Sequence, residues 1–288
     1  MENILELQQV SKTFPKSGFK LDNVTFSLPY GSILGFVGEN GAGKTTTIGC
    51  ILNTIRKDSG TVKLFGREMQ DEDTDMREEI GVVYDGDNFP AYWTAAQLSQ
   101  VMAGLYSRWD SSLFQKYLEE FDLPLRQKIK HYSRGMTMKL AIAAALSHHP
   151  KLLILDEATS GLDPIMRDEM LDVFLGFVQE EDHSILLSSH ITGDLEKIAD
   201  YITFIHNGRL IMTISRNDLV YQYAVMRCRE SQFRSLDPGD ILAYRKRDFQ
   251  IDVLVENGKE AEKKYRDVVI DHVSVDEIML LLVKGERV

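Results

Sequence analysis

A glycine-rich turn lies between a short apolar segment and a helix-forming one and limits the folds that this chain can adopt. The turn, Gly38-Glu39-Asn40-Gly41-Ala42-Gly43-Lys44-Thr45, matches G-x-x-x-x-G-K-[ST] at every fixed position. It follows Ser32–Val37, a continuous apolar run typical of a strand buried on both faces. It precedes Thr45–Ile55, which predicts a helix. A strand, a glycine loop and a helix in this order predict a phosphate-binding loop.

Each part of this loop has a chemical reason. Glycines allow the backbone to curl, so that successive N–H groups face phosphate oxygens, and the following helix adds its positive N-terminal end. The Lys44 ammonium is suited to the β- and γ-phosphates, and the Thr45 hydroxyl is suited to Mg²⁺. An ordinary glycine-rich turn would give no reason for Lys and Thr at its end. The loop therefore predicts a nucleotide and its magnesium ion as ligands.

Two adjacent carboxylates end a second buried apolar segment. Leu152–Leu155 predicts a buried strand, and Asp156-Glu157 follows it directly. A carboxylate at the end of a strand beside a phosphate loop is placed to hold Mg²⁺ through water, and we assign this role to Asp156. Glu157 is then placed to orient the attacking water and accept its proton. Two acidic residues at a strand end are common by themselves, so this interpretation depends on the loop.

Strands and helices alternate along most of the chain, which predicts a mostly parallel α/β core. Before the glycine loop, Leu5–Leu7 and Val24–Leu28 alternate apolar and polar residues, which is typical of half-buried antiparallel strands. Asp163-Pro164 predicts the start of a helix, because an N-cap residue is followed by proline. Asn207-Gly208 predicts the turn of a β-hairpin.

Two regions depart from this alternation. From about residue 88 to residue 150 the pattern is helical, and Thr94–Gln97 is a capping box at the start of one helix. An apolar stripe that we interpret as core packing follows at Leu98, Val101, Met102 and Leu105. After residue 218 short alternating strands such as Gln250–Val255 follow. This second region, 219–288, predicts a small C-terminal α+β appendage.

Composition limits the classes of function. The chain has 288 residues, enough for about two domains of ~150 residues each. Its 33 basic and 44 acidic residues give a net charge of −11, which argues against nucleic acid as a partner. Apolar stretches such as Ile278–Val283 fall short of the ~18 residues that a membrane-spanning helix needs. A role at a membrane would therefore require a second polypeptide.

Five motifs together resemble the ATP-binding subunits of ABC transporters. They are the glycine loop, Ser133-Arg134-Gly135, Leu155-Asp156-Glu157, Ser160–Asp163 and Ser188-Ser189-His190, in the order and spacing of that family over about residues 1–217. The detailed pattern is similar to Gram-positive exporter ATPases of the antimicrobial-peptide and phenol-soluble-modulin type. The resemblance implies an α/β fold with a RecA-like P-loop NTPase core, an N-terminal antiparallel β subdomain and a helical insert subdomain. The ATPase domain would span 1–218, and the accessory domain 219–288.

The resemblance also implies roles for individual residues. Phe14 takes the position of the aromatic ring that stacks on adenine. The phosphates would be held by Asn40, Gly41, Ala42, Gly43, Lys44, Thr45 and Thr46. Ser133 and Gly135 take the signature position, which reaches the γ-phosphate of ATP on the opposite subunit. Asp163 resembles the loop aspartate at the dimer seam, and His190 resembles the switch histidine that contacts the γ-phosphate. The catalytic set is then Glu157, His190, Lys44 and Asp163.

Charged residues stand at two positions where the family has neutral ones. Asp85 replaces the glutamine that ligates Mg²⁺, and we predict that its carboxylate still ligates the metal, with Thr45 and Asp156. Arg134 replaces a glycine of the signature, where it either adds a charge to the subunit interface or faces solvent. Met136 replaces the signature glutamine. None of these changes removes a predicted catalytic residue, so we expect an active ATPase.

The resemblance implies an ATP-hydrolysing subunit that dimerises head to tail on two ATP–Mg²⁺. The second ATPase would be identical or homologous, and a separate integral membrane subunit would export a peptide or another amphipathic or hydrophobic compound. We expect the chain in the cytoplasm, on the inner face of the cell membrane. The aromatic run Phe89–Trp93 either contacts the membrane subunit or belongs to the core. The alternative function is a soluble ABC-type regulatory ATPase that is not coupled to transport.

Overall fold

The computed structural model describes residues 2–86 and 88–287. The strands in those residues are β1 (Asn3–Phe14), β2 (Phe19–Pro29), β3 (Ile33–Val37), β4 (Ser59–Leu64), β5 (Ile80–Val83), β6 (Leu152–Asp156), β7 (Ser184–Ser189), β8 (Tyr201–His206), β9 (Arg209–Ser215), β10 (Tyr223–Cys228), β11 (Ile241–Lys246), β12 (Ile251–Glu256) and β13 (Val269–His272). The helices are α1 (Lys44–Ile51), α2 (Thr74–Glu78), α3 (Ala95–Leu105), α4 (Ser111–Glu120), α5 (Arg134–Leu146), α6 (Pro164–Phe177), α7 (Thr192–Ile198), α8 (Arg216–Tyr221), α9 (Glu230–Phe233), α10 (Gly258–Lys264) and α11 (Val275–Lys284).

A six-stranded sheet in the order β5-β6-β7-β3-β8-β9 forms the centre of the molecule. All neighbouring pairs are parallel except β8 and β9, which form the hairpin predicted at Asn207-Gly208. Every residue of β3, β6 and β7 is buried. Because the carboxyl ends of parallel strands meet at one edge, the segments that follow β3, β6 and β7 lie together there. The predicted α/β core is confirmed.

The N-terminal strands form a separate antiparallel sheet in the order β2-β1-β4. In β2 the buried residues Val24, Phe26 and Leu28 alternate with exposed ones, as the sequence predicts for a half-buried strand. In β1 register shifts interrupt the alternation on both sides of Leu5–Leu7. The buried side chains pack on helix α1 in a shared cluster that includes Leu7, Val24, Ile48 and Ile51. This packing holds the end of β1, with Phe14, near the glycine loop that precedes α1.

Helices α3, α4 and α5 form the helical region between β5 and β6. The predicted capping box is present: the Gln97 N–H donates to Thr94 Oγ1 at 3.2 Å, and the Thr94 N–H donates to Gln97 Oε1 at 3.0 Å. The interpretation of the α3 stripe as core is only partly right. Leu98 is fully buried, but Val101 is 38% exposed and Leu105 is 68% exposed. Apolar side chains therefore remain on the surface of this region.

The C-terminal strands form a four-stranded antiparallel sheet in the order β11-β12-β10-β13. With α9 and α10 they follow the chain order β-α-β-β-α-β of a split βαβ unit. Strand β12 is buried on both faces rather than half-buried as its alternation predicts. Its Val253 packs with Tyr265 beyond α10, while Leu254 shares the main core cluster with Ile278 of α11. Because this cluster also contains residues of the central sheet, a domain boundary at residue 218 stays a prediction.

Candidate nucleotide-binding site

The glycine loop curls around the ammonium group of its own lysine. Lys44 Nζ donates to the Gly38 carbonyl at 2.7 Å, and the lysine side chain is only 6% exposed. Gly43, the residue before α1, has a φ of 116°, a backbone conformation that favours glycine. A Cβ there would also lie 3.1 Å from the Phe19 ring. The loop thus has the curvature that the sequence predicts.

Glu157 contacts two cationic or polar partners at once. Its Oε1 lies 3.1 Å from Lys44 Nζ, and its Oε2 lies 2.5 Å from His190 Nδ1. The backbone N–H of His190 also donates to Glu157 Oε2, at 3.3 Å. Glu157 has a φ of 55°, a left-handed conformation that is uncommon for a residue other than glycine and is often found at functional sites. Its side chain, 12% exposed, therefore joins the glycine loop to the segment after β7.

Asp156 is held by two hydroxyl groups rather than by a charged side chain. Thr45 Oγ1 donates to Asp156 Oδ2 at 2.8 Å, and Ser188 Oγ donates to Oδ1 at 2.8 Å. Mg²⁺ prefers oxygen ligands and typically takes one or two carboxylates together with phosphate oxygens and water. The hydroxyl of Thr45 and the carboxylate of Asp156 fit that preference. Ser188 belongs to a motif found in the sequence, but its contact with Asp156 required the structure.

A cleft of about 650 Å³ opens above these groups. Its lining consists of Phe14, Ser17, Phe19, Asn40, Gly41, Gly43, Lys44, Thr45, Thr46, Asp85, Asp156 and Glu157. Phe14 and Phe19 lie with ring centroids 6.3 Å apart, so two aromatic rings rather than one contribute to the lining. Sequence reasoning missed Phe19 and Ser17. The only signal for them was their closeness to Phe14 in the chain: Ser17 lies in the turn between β1 and β2, and Phe19 begins β2.

Ala42 belongs to the loop but does not line the cleft. Its side chain is 4% exposed and packs in the core cluster with Ile48. Its N–H donates to the Glu39 carbonyl at 3.0 Å. In this structure, therefore, the backbone N–H of Ala42 donates to a carbonyl of the glycine loop itself.

Three further predicted residues lie outside the cleft. Ser133 caps α5, with its Oγ accepting from the Met136 N–H at 3.2 Å. Asp163 caps α6, with its Oδ1 accepting from the Met166 N–H at 3.0 Å. A Cβ added to Gly135 would lie 2.3 Å from Met166 Sδ, so α5 and α6 approach closely at this glycine. The structure does not bring these residues to the same cleft as Lys44.

Asp85 lines the cleft and also forms an ion pair. Arg134 Nη2 donates to Asp85 Oδ1 at 2.8 Å, and the two side chains are 55% and 47% exposed. The sequence leaves two positions open for Arg134, the subunit interface or solvent. The structure adds a contact that neither alternative included, because the guanidinium pairs with Asp85 of the same chain.

The C-terminal helix α11 also reaches this site. Met279 lines a small cavity of about 250 Å³ together with His190, Glu39 and Asn40. Lys284 Nζ lies 3.7 Å from Glu39 Oε1. At the other end of the helix, the Val275 N–H donates to Glu196 Oε1 of α7 at 2.6 Å. No pattern in the sequence indicated this proximity.

Across residues 2–86 and 88–287 we find no helix with the length and hydrophobicity that crossing a bilayer requires.

Comparison with known sequences gives consistent matches. A family model described as "ABC transporter" matches residues 21–160. A bacitracin transport ATP-binding protein from Bacillus licheniformis is 34% identical over 216 residues, which cover 74% of this chain and 70% of that protein. A lantibiotic transport ATP-binding protein from Streptococcus pyogenes is 34% identical over 214 residues, which cover 73% of this chain and 90% of that protein.

Solved structures show the same fold. The ATP-binding subunit of an ABC transporter superposes with a TM-score of 0.66 at 27% identity, covering 75% of this chain and 91% of that chain. A dimeric ATP-binding cassette in a post-hydrolysis state, bound to ADP and Pi, superposes with a TM-score of 0.65 at 20% identity. That match covers 74% of this chain and 98% of the cassette. The predicted fold class is confirmed.

Proposed function

Because this chain belongs to the ABC transporter family of ATP-binding proteins, we propose that it pairs with a second ATPase subunit and drives a separate membrane subunit. Its enzymatic activity is ATP hydrolysis. The observation that carries the proposal is the position of Glu157, which contacts Lys44 of the glycine loop and His190 beyond β7. Lys44 and Glu157 line the cleft, and His190 contacts Glu157 from a neighbouring cavity, which supports the roles proposed for these three residues.

ATP binding requires an exchange of partners at this end of the cleft. Lys44, now bound to Glu157, would transfer to the β- and γ-phosphates, which frees Glu157 Oε1 to accept a proton from the attacking water. Thr45 and Asp156, with Asp85 at the rim, would hold Mg²⁺, which neutralises charge on the phosphates. His190 would keep the carboxylate oriented through Oε2. Pre-positioned charges of this kind stabilise the transition state without further rearrangement.

The position of the signature residues supports a head-to-tail dimer. Ser133 and Gly135 lie at the N-terminus of α5, a helix of 13 residues, and outside the cleft that holds Lys44. The N-terminus of a helix attracts anions through its dipole and unbonded N–H groups. We propose that this helix end contacts the γ-phosphate of a nucleotide held by a second subunit, with Asp163 at the seam between them.

The helical region carries the surface that we propose for the membrane subunit. Tyr92 is 71% exposed and Leu105 is 68% exposed, while Phe89 and Trp93 pack against the core. Within the aromatic run, therefore, Tyr92 is available to a partner, whereas Phe89 and Trp93 belong to the packing of the core. Exposed aromatic and aliphatic side chains are typical of the centre of protein interfaces. This surface would place the chain on the cytoplasmic side of the membrane subunit.

The proposed cargo is a peptide or another amphipathic compound, and the proposed direction is export. The support is that relatives at 34% identity are transport ATP-binding proteins for bacitracin and for a lantibiotic. The family match at residues 21–160 includes the glycine loop and the helical region.

Two measurements test the proposal. The purified chain should hydrolyse ATP only with Mg²⁺, and Glu157→Gln should bind ATP but lose at least about 100-fold in rate, since general-base catalysis contributes that much. Glu169→Gln, which removes an exposed carboxylate of α6, is the matched control and should keep the wild-type rate. An equal rate for Glu157→Gln and wild type would contradict the assignment.

The second measurement is copurification from detergent-solubilised membranes of the source cells. One integral membrane protein should be recovered in near-equal amount. Recovery of soluble partners alone would favour the regulatory ATPase and leave the hydrolysis chemistry intact.

A further inference from the structure

Two charged residues that replace neutral ones in the family pattern contact each other. Asp85 follows β5, and Arg134 begins α5, 49 residues later in the chain. Their side chains meet with Arg134 Nη2 at 2.8 Å from Asp85 Oδ1. Each substitution alone would add an isolated charge beside the site, whereas together they form a neutral pair. The pair links the helical region to the segment that follows a strand of the central sheet.

Arg134 contacts a third segment through the flat face of its guanidinium. Gly161, in the turn after β6, lies beneath it: a Cβ added there would be 2.6 Å from Arg134 Nη1 and 3.0 Å from Nε. Gly161 has a φ of 72°, so glycine suits this turn for two independent reasons. Arg134 therefore joins the start of α5 to the segments after β5 and after β6.

Asp85 lines two cavities. The first is the proposed Mg²⁺ site, and the second contains Arg134. On one side it lines the nucleotide cleft together with Thr45 and Asp156, whose oxygens fit Mg²⁺. On the other side it lines a cavity of about 480 Å³ together with Arg134. One carboxylate cannot neutralise both a guanidinium and a divalent ion, and the two cations repel each other at short range. The ion pair and the metal therefore compete for Asp85.

Resting on the proposed function, we propose that Arg134 is a positioning residue that competes with Mg²⁺ for Asp85. In this structure the guanidinium ties the start of α5 to the segment after β5. The Asp85 carboxylate, which already lines the cleft, would turn from Arg134 toward bound Mg²⁺ and so release that tie. The helix end that carries Ser133 and Gly135 would then be free to adjust to a second subunit only when Mg²⁺ accompanies the nucleotide.

The test is the Mg²⁺ dependence of nucleotide binding, measured with a fluorescent ATP analogue and the full chain. Arg134→Ala should lower the Mg²⁺ concentration at half-saturation by about two- to fivefold, the range expected from a half-exposed ion pair. Its affinity for the analogue in EDTA should stay at the wild-type value. Arg134→Lys keeps the charge and should restore the midpoint. Asp85→Asn should raise the midpoint.

The double variant Asp85→Asn/Arg134→Ala distinguishes competition from an indirect effect. With the carboxylate absent, Arg134→Ala should change nothing further, so the double variant should match Asp85→Asn. The matched control is Lys139→Ala, which breaks another ion pair of the same helix, 2.9 Å to Glu169. It should leave the midpoint unchanged.

Three results would overturn the inference. The first is an unchanged Mg²⁺ midpoint in Arg134→Ala, and the second is an equal decrease of that midpoint when Arg134→Ala is added to Asp85→Asn. The third is a change in affinity for the analogue that is as large in EDTA as in Mg²⁺. The last result would assign Arg134 to the phosphates instead. Failure of the wild-type chain to bind the analogue under any condition would overturn the proposed function itself, which is a separate outcome.

Discussion

Replacing Glu157 by glutamine should make the chain bind ADP more tightly. In this structure Glu157 Oε1 lies 3.1 Å from the ammonium group of Lys44, which we propose transfers to the phosphates. ADP is the informative ligand because it has no γ-phosphate and does not support hydrolysis. A change in its affinity therefore reports the Lys44–Glu157 contact without contributions from turnover.

The size of the effect follows from the contact. At 3.1 Å and an effective dielectric constant of about 20, the gross attraction is about 332/(20 × 3.1), or roughly 5 kcal/mol. Most of it is offset, because the glutamine amide would still accept a hydrogen bond and Lys44 keeps the Gly38 carbonyl at 2.7 Å. In this structure the contact is an ion pair without a hydrogen bond to Glu157 Oε1, and close charge pairs show coupling energies from about 1.5 kcal/mol upward. We therefore expect a gain of about 1–2 kcal/mol, or roughly 5- to 30-fold in affinity.

Isothermal titration calorimetry with ADP measures this directly. Glu157→Asp keeps the charge and should remain closer to wild type than Glu157→Gln does. His190→Gln removes the other partner of Glu157, at 2.5 Å, without removing the carboxylate, and should change ADP affinity by less than about twofold. Unchanged or weaker ADP binding by Glu157→Gln would refute the idea that nucleotide and Glu157 compete for Lys44.

Three further predictions concern packing and pH. Gly135→Ala should lower the free energy of unfolding by about 1–3 kcal/mol in urea denaturation, because its Cβ would overlap Met166 Sδ, and Met166→Ala in the same chain should recover part of the loss. Phe174→Ala, at a fully buried position, should cost about 3–5 kcal/mol in the same assay, and a loss below about 1 kcal/mol would contradict the core assignment. Burial lowers the pKa of His148 from 6.5 to about 4, so the unfolded chain binds a proton in that range while the folded chain does not. Stability should therefore fall by about 2 kcal/mol between about pH 7 and pH 5 from this residue, and His148→Gln should flatten that part of the wild-type pH profile.

Most of the nucleotide site could be predicted from the sequence because its signals are local. The glycine loop, the carboxylates that end β6, and the caps Ser133 and Asp163 each depend on residues within a few positions of one another. A glycine at position 43 permits the positive φ that the loop requires there. The parallel arrangement of the sheet also follows from the alternation of strands and helices.

The tertiary structure alone decided which distant groups meet. Local spacing does not encode the partners of Glu157, the ion pair of Asp85 with Arg134, or the contact of α11 with the glycine loop. It also could not show that Leu105 is exposed or that both faces of β12 are covered, since burial depends on which elements pack against a segment. Local sequence patterns identified the chemical groups of the site and the turns that present them. The packing of the elements determined how those groups pair, because contacts between residues far apart in the chain exist only once the sheet and its helices are assembled.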